Sequence, residues 1–177
     1  DFLTEDVERI VVDSQKAYER MRDMITKISS RSAGKVKLYT ESQPIFDRFN
    51  ISKQLENAFS RQVSLRSGGY IVVDETEALV AIDVNTGRHK GGRDQESAIL
   101  KVNLESADEI CRQLRLRNMG GLIVLDFIDM EERRNREKVM AALDAALRSD
   151  RAPSKVLSFN EFGLVAITRK RTKQSLE

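Results

Sequence analysis

Cysteine and histidine are nearly absent from these 177 residues, which hold one of each, Cys111 and His89. A single cysteine excludes an internal disulfide framework and any cysteine-based zinc site within the chain, and it fits a reducing compartment. A single histidine leaves little room for histidine acid–base chemistry, so no proton-transfer role is assigned to His89. Charge of one sign is also scarce: the formal net charge is +2, with a third of all residues charged and both signs interspersed. A bulk polyanion-binding excess is therefore absent, and any nucleic-acid surface has to be local. No apolar run approaches the roughly 20 residues that span a bilayer. The polar, acidic start Asp1–Glu8 carries no signal-peptide pattern. No internal repeat or low-complexity tract is present. The length suits one domain with a real core, or a domain plus a fragment of a second. The first residue is not methionine, which leads us to expect a segment of a longer protein.

What is present centres on two tracts, ALVAIDVNTGRHKGGRD (Ala78–Asp94) and GGLIVLDFIDM (Gly120–Met130). Each is a short apolar strand that ends on a carboxylate, Asp83 in the first and Asp126 in the second. The flanks supply an amide at Asn85, glycines at 87, 91 and 92, and cations at Arg88, Lys90 and Arg93. Magnesium prefers oxygen ligands and is usually held by one or two carboxylates together with waters and phosphates. The working expectation is that Asp83 and Asp126, with Asn85, hold a magnesium ion used in phosphodiester cleavage. Taken alone, Asp83 reads as a strand-end aspartate that caps a loop. The loop after it lacks the spacing and the Lys-Ser/Thr ending of a P-loop, so it is no nucleoside-triphosphate signature. Arg88, Lys90 and Arg93 read equally well as an RNA-backbone grip and as a solvated charged loop.

In chain order, Arg9–Asp13 reads as a strand, and Ser14 caps a helix over Gln15–Ile28 with Met21, Met24, Ile25 and Ile28 on one face. Val36–Tyr39 is a second strand. Pro44 opens a segment with Phe46 and Phe49, and a helix over Ser52–Arg61 buries Leu55, Ala58 and Phe59. From Gln62 the character changes. Val63–Leu65, Arg66–Gly69 and Tyr70–Val73 form a hairpin signal with paired glycines at the turn. A long helix over about Asp94–Arg117 has its stripe at Leu100, Leu104, Ala107, Cys111 and Leu114. Leu122–Leu125 reads as a central strand covered on both faces. Asp129, three residues past Asp126, reads as a further ligand or as the N-cap of a helix over Glu131–Arg148, the cap being favoured because aspartate is preferred there, and strands at Val156–Phe159 and Leu164–Thr168 complete the sheet. Arg112, Arg115 and Arg117 are expected to divide between salt bridges and one phosphate contact. The run Arg169–Lys173 is expected to be a solvated tail or linker, and Cys111 a core residue.

The tracts ALVAIDVNTG, NLESADEICRQLRLRNMGGLIVLDFIDM, RAPSKVLSFNEFGLVAITRKR and KLYTESQPIFDRFNI resemble the ribonuclease E/G family of bacterial and plastid endoribonucleases. The resemblance implies an α/β fold: a mixed sheet with flanking helices, DNase-I-like, over residues 66–177. A partial RNase-H-like segment over residues 1–65 would precede it. It implies that Asp83 and Asp126 are magnesium ligands, with manganese as a substitute, and that Asn85 orients Asp83. It implies hydrolysis of single-stranded RNA by water, leaving 5′-phosphate and 3′-hydroxyl ends, in RNA processing and decay. The implied location is the cytoplasm, or the plastid stroma in a plant. The family's S1, 5′-sensor and paired-cysteine zinc-link regions have no counterpart in these residues. Neither 5′-end sensing nor zinc-linked homo-oligomers are therefore expected of this stretch itself, although the full-length protein is expected to be a homo-oligomer through such regions. Two other classes compete. One is a non-catalytic RNA-binding or scaffold fragment of an RNA-degrading assembly, against which the joint presence of Asp83, Asn85 and Asp126 argues. The other is a phosphoacceptor receiver domain, suggested by LIVLD. That reading needs an early acidic pair where RIVVDS supplies one carboxylate.

Overall fold

The computed structural model describes residues 3–87, 95–160 and 163–171. The chain divides into two compact units, Asp1–Leu55 and Glu56–Glu177. In the first, β1 (Ile10–Val12) pairs in parallel with β2 (Val36–Leu38), and α1 (Gln15–Ile28) and a 3-10 turn connect them. The Ser14 hydroxyl caps α1 as the sequence predicts, accepting the Ala17 N–H at 3.3 Å. Short helices α2 (Ile45–Arg48) and α3 (Ile51–Ala58) follow.

The second unit is a six-stranded mixed sheet with the order β3-β4-β5-β6-β8-β7. Its strands are β3 (Gln62–Ser64), β4 (Tyr70–Glu75), β5 (Val80–Asn85), β6 (Gly121–Asp126), β7 (Ser154–Phe159) and β8 (Leu164–Arg169). The helices are α4 (Gln95–Leu116), between β5 and β6, and α5 (Arg133–Arg148), between β6 and β7. This is the mixed α/β architecture expected. The strand Gln62–Ser64 is hydrogen-bonded into this sheet through β4.

Period-two alternation decides which side chains face the helices. Ile71 and Val73 of β4, Val80, Ile82 and Val84 of β5, Ile123 and Leu125 of β6, and Val165 and Ile167 of β8 are all buried. They share one core with Val102, Ala107, Ile110, Cys111 and Leu114 of α4 and Val139, Leu143 and Leu147 of α5. Cys111 is a core residue, and burial pushes its thiol up to about 12.

Several expectations fail here. Leu122–Leu125 is not covered on both faces: Ile123 and Leu125 are fully buried, while Leu122 is 38% exposed. The reason is that α4 and α5 lie against each other on one face of the sheet. Met24, Ile28 and Phe59, expected inward, are 56%, 76% and 65% exposed. Leu55, expected inward too, is exposed as well. For Met24 and Ile28 the reason is that a two-stranded sheet is too narrow to cover every apolar position of α1, the helix packed on it.

Arg117 turns into the protein. It is buried, donating from Nε to Gln113 Oε1 at 2.9 Å and from Nη2 to the carbonyls of Asn57 and Ser60 at 3.0 and 2.6 Å. Arg112 pairs with Glu109 at 3.1 Å. Arg169, expected in a solvated tail, ends β8 as a buried ion-pair partner of Asp150 at 2.6 Å. Lys173 lies outside the described residues.

Candidate active site

Within the six-stranded sheet, β5 and β6 are the only parallel neighbours among the described strands. Parallel strands end at the same edge, and in open α/β sheets ligands gather outside the carboxyl ends of the strands. Asp83 and Asp126 sit at that edge as register partners, so their backbones are one strand spacing apart, about 4.8 Å. Both belong to the face opposite the core, because Ile82, Val84 and Leu125 beside them point inward. The two carboxylates therefore stand side by side on the solvent face of the sheet.

Their electrostatics agree with that placement. Partial burial, and then the charge of Asp83, raise Asp126 above the usual carboxylate range. Two like charges so placed oppose joint ionisation, and a cation between them relieves the opposition. Asn85, two residues past Asp83 on the same face, donates from Nδ2 to Asp83 Oδ2 at 3.2 Å. That bond restricts the rotamer of Asp83, as supporting amides do around metal-binding carboxylates.

Elements distant in sequence hold this edge in place. Asn103 of α4 is fully buried. Its Nδ2 donates to the Ile128 carbonyl at 2.9 Å, and its Oδ1 accepts the Ile128 N–H at 3.1 Å. The loop that leaves Asp126 is thereby pinned to α4. The β3–β4 turn meets the end of β5 closely: a Cβ at Gly69 would lie 2.6 Å from the Asn85 carbonyl oxygen. At Gly87, where φ is +70°, a Cβ would lie 2.6 Å from the Gly68 carbonyl oxygen. Only glycine permits both approaches without a shift of backbone. Glu105 of α4 secures the same turn, accepting the N–H groups of Arg66 and Ser67 at 2.5 and 3.0 Å.

Asp129 is not the cap of α5. Glu132 occupies that position without a side-chain bond, and Glu96 of α4 serves the helix start instead. It accepts the N–H groups of Glu131 and Glu132 at 3.3 and 3.2 Å and Nδ2 of Asn135 at 3.0 Å. The Asn135 bond, the two backbone bonds and Arg136 outweigh partial burial and hold Glu96 below its ordinary range.

The donor set suits a hard cation of the magnesium type: two carboxylates at one sheet edge, with an amide fixing one of them. Among the described residues no group of three or more His, Cys, Asp or Glu is arranged to hold a metal. Two carboxylates supplemented by water and phosphate oxygens is the pattern magnesium takes. Arg88, Lys90 and Arg93, with His89, lie outside the described residues. Sequence reasoning missed Asn103, Glu96 and Glu105, whose partners are brought together only by the fold. Among the described residues no helix is long and apolar enough to cross a membrane.

Comparison with known proteins places relatives beside this geometry. The Ribonuclease E/G family model matches residues 1–172. Ribonuclease G of Escherichia coli (strain K12) is 42% identical over 177 residues, which is 100% of this chain and 36% of that protein. Ribonuclease E of Haemophilus influenzae is 44% identical over 176 residues, 99% of this chain and 19% of the relative. Ribonuclease E of Escherichia coli (strain K12) is 45% identical over 177 residues, 99% of this chain and 17% of the relative. The chain thus spans about a third of the length of the curated ribonuclease G it matches.

Proposed function

The chain belongs to the ribonuclease E/G family, and on that premise we propose that it carries the catalytic centre of a magnesium-dependent endoribonuclease acting on single-stranded RNA. The observation that carries this reading is the register pairing of Asp83 with Asp126 at the carboxyl edge of β5 and β6, the parallel neighbours of the six-stranded sheet, with Asn85 bonded to Asp83. A divalent ion held there would polarise a phosphate oxygen and lower the pKa of a bound water.

The protein's own groups divide the remaining work. Asp83 and Asp126 supply the anionic oxygens that hold the ion. Asn85 keeps Asp83 in one rotamer. Asn103 holds the loop behind Asp126, and the glycines at 69 and 87 let the β3–β4 turn close against the end of β5. The products in this reading are a 5′-phosphate and a 3′-hydroxyl, since water and not the ribose 2′-oxygen attacks. Arg88, Lys90 and Arg93 are assigned to the RNA backbone, and manganese to the same site as magnesium. Residues 66–177 are read as DNase-I-like and residues 1–65 as a partial RNase-H-like segment. A cytoplasmic setting in RNA processing and decay goes with the family. Oligomer formation is assigned to regions outside this stretch.

Cleavage of an end-labelled single-stranded RNA by the full-length chain, with magnesium and with EDTA, tests the reading. Cleavage that depends on the metal and leaves ligatable 5′-phosphates supports it. Equal RNA binding with and without magnesium, and no cleavage under any condition, would favour the scaffold reading instead.

Asn85→Ala gives a graded test of the supporting amide. Loss of such a partner typically costs about 10- to 100-fold in activity or metal affinity. We expect that loss in kcat/KM with the thermal unfolding midpoint unchanged, because Asn85 is part-exposed and, among the described residues, its side chain bonds to Asp83 alone. Wild-type rates in that variant would remove Asn85 from the site.

A further inference from the structure

Resting on the ribonuclease reading above, we propose that Tyr70 is the platform on which the base next to the scissile phosphate stacks. The paired carboxylates and Asn85 fix a phosphate and offer nothing to a base. A single-stranded substrate held through one phosphate alone would swing about it. Something on the same face has to hold the neighbouring nucleotide.

The sheet register supplies the position. Tyr70 opens β4 directly after the Gly68–Gly69 turn, and Ile71 and Val73 beside it point into the core. Alternation therefore puts Tyr70 and Val72 on the face of Asp83 and Asn85. In the antiparallel pairing of β4 with β5, Tyr70 stands opposite Asn85 and Val72 opposite Asp83. Directly opposite Cβ atoms are about 4.5–5.5 Å apart and diagonal neighbours about 7–8 Å, within reach of an aromatic side chain. The ring thus stands across from the amide that orients Asp83 and diagonal to Asp83 itself. That offset suits a phosphate on the carboxylate side and its own base over the ring.

Packing does not account for Tyr70. It is half-buried, and among the described residues its hydroxyl has no hydrogen-bond partner and its ring no aromatic neighbour. A tyrosine placed for the core normally buries its ring and satisfies its hydroxyl. It is also the one aromatic ring on this face of the sheet among the described side chains, the flanking positions in the Asp83–Asp126 row being Val72 and Leu164. Its backbone is held firmly, because the preceding Gly69 lies against the Asn85 carbonyl and Glu105 grips the turn. A ring on a fixed strand loses little freedom when a base stacks on it. The ligand chemistry is a nucleobase π-face, which tolerates any sequence.

The test uses the full-length chain and short RNAs cleaved at one site, each intact or with one abasic nucleotide beside the scissile phosphate. Tyr70→Ala is expected to raise KM roughly 5- to 150-fold, the range one base–aromatic stack sets, with kcat little changed. Tyr70→Phe is expected to rescue KM. Tyr70→Leu, which keeps apolar bulk on the strand without a π-face, is expected to behave as the alanine variant. The abasic RNA should cost the wild type the same factor and cost Tyr70→Ala nothing further. Equal losses on the abasic RNA by wild type and Tyr70→Ala would overturn the proposal, as would an unchanged KM in Tyr70→Ala. A wild type that cleaves no RNA would sink the ribonuclease reading, and the stack with it. Normal wild-type cleavage with an indifferent Tyr70 would sink the stack alone.

Discussion

Asp83→Asn or Asp126→Asn in the full-length chain is expected to eliminate RNA cleavage and leave the protein folded. Each change keeps the shape of the side chain and removes one anionic oxygen from the pair that faces the shared ion. Removing a single charge-stabilising group from an active site costs about 10²–10³-fold in kcat, and loss of a metal ligand adds the loss of the metal. The fold should not suffer, because the two carboxylates destabilise each other when no cation is bound. The raised pKa of Asp126, caused by burial and then by Asp83, fixes the sign. A carboxyl that holds its proton more tightly in the folded state makes the fold less stable as pH rises through that range. Asp83→Asn removes the neighbouring charge, so Asp126 should titrate lower, and the metal-free protein should be as stable as wild type or more so near neutrality. The same shift should place the acid limb of the wild-type pH–rate profile above the ordinary aspartate range at limiting metal. Retained magnesium-dependent cleavage in either variant would defeat the assignment.

Asp150→Ala is expected to do the reverse, with a large loss of stability and an intact site. Arg169 and Asp150 are 4% and 5% exposed as side chains. Arg169 donates from Nε to Asp150 Oδ2 at 2.6 Å and from Nη1 to the Met119 carbonyl at 2.8 Å. Burial raises the Asp150 pKa, but the Arg169 hydrogen bond, the Ala152 N–H and the charges of Arg169 and Arg115 outweigh it, so the net shift is downward. A depressed carboxyl contributes stability above its unfolded pKa, and that contribution is lost as pH falls through the lower folded value. The pair should therefore persist through neutral pH and fail only in strong acid.

Removing Asp150 leaves a guanidinium buried without its counter-charge, which costs about 3–5 kcal/mol in comparable pairs. Urea denaturation of wild type and Asp150→Ala measures this directly. A loss below about 1 kcal/mol, the worth of an exposed pair, would mean that water reaches the guanidinium. Arg169 pairs with Gly121 at the start of β6, whereas Asp126 ends that strand, roughly 17 Å away at the rise of a β-strand. Activity per folded molecule should accordingly match wild type. The two experiments thus separate a site that costs stability from a scaffold that supplies it.

The parts of this fold that the sequence made legible are those set by neighbours in the chain. Ser14 caps α1 because a hydroxyl three residues from Ala17 reaches its N–H. The glycine pair before Tyr70 announces the hairpin, and the stepped apolar positions of α4 announce the helix. Asp83 and Asp126 stand out because each ends an apolar run within a tract resembling one family, although β5 continues two residues further, to Asn85.

Contacts made across the fold were not legible. Glu96 reaches Glu131 and Glu132 over 35 and 36 positions, and Asp150 meets Arg169 over 19. In a linear reading such charges look like solvated surface, which is why the run from Arg169 reads as a solvated tail. Periodicity also overstated the first unit. It marks Met24 and Ile28 as an inward face, but periodicity carries no information on whether enough sheet exists to cover that face. Tyr70 lay between the two cases. Its identity was plain, yet only the register that sets it opposite Asn85 gives the ring a use.

The central claim is that Asp83 and Asp126 share one divalent ion. Crystals of the full-length protein soaked in manganese, with data collected at the metal's absorption edge, test it most directly. The account predicts one anomalous peak within coordinating distance of a carboxylate oxygen from each aspartate, absent in Asp83→Asn. Separate peaks on the two side chains, or carboxylates turned away from each other with no peak between them, would contradict it.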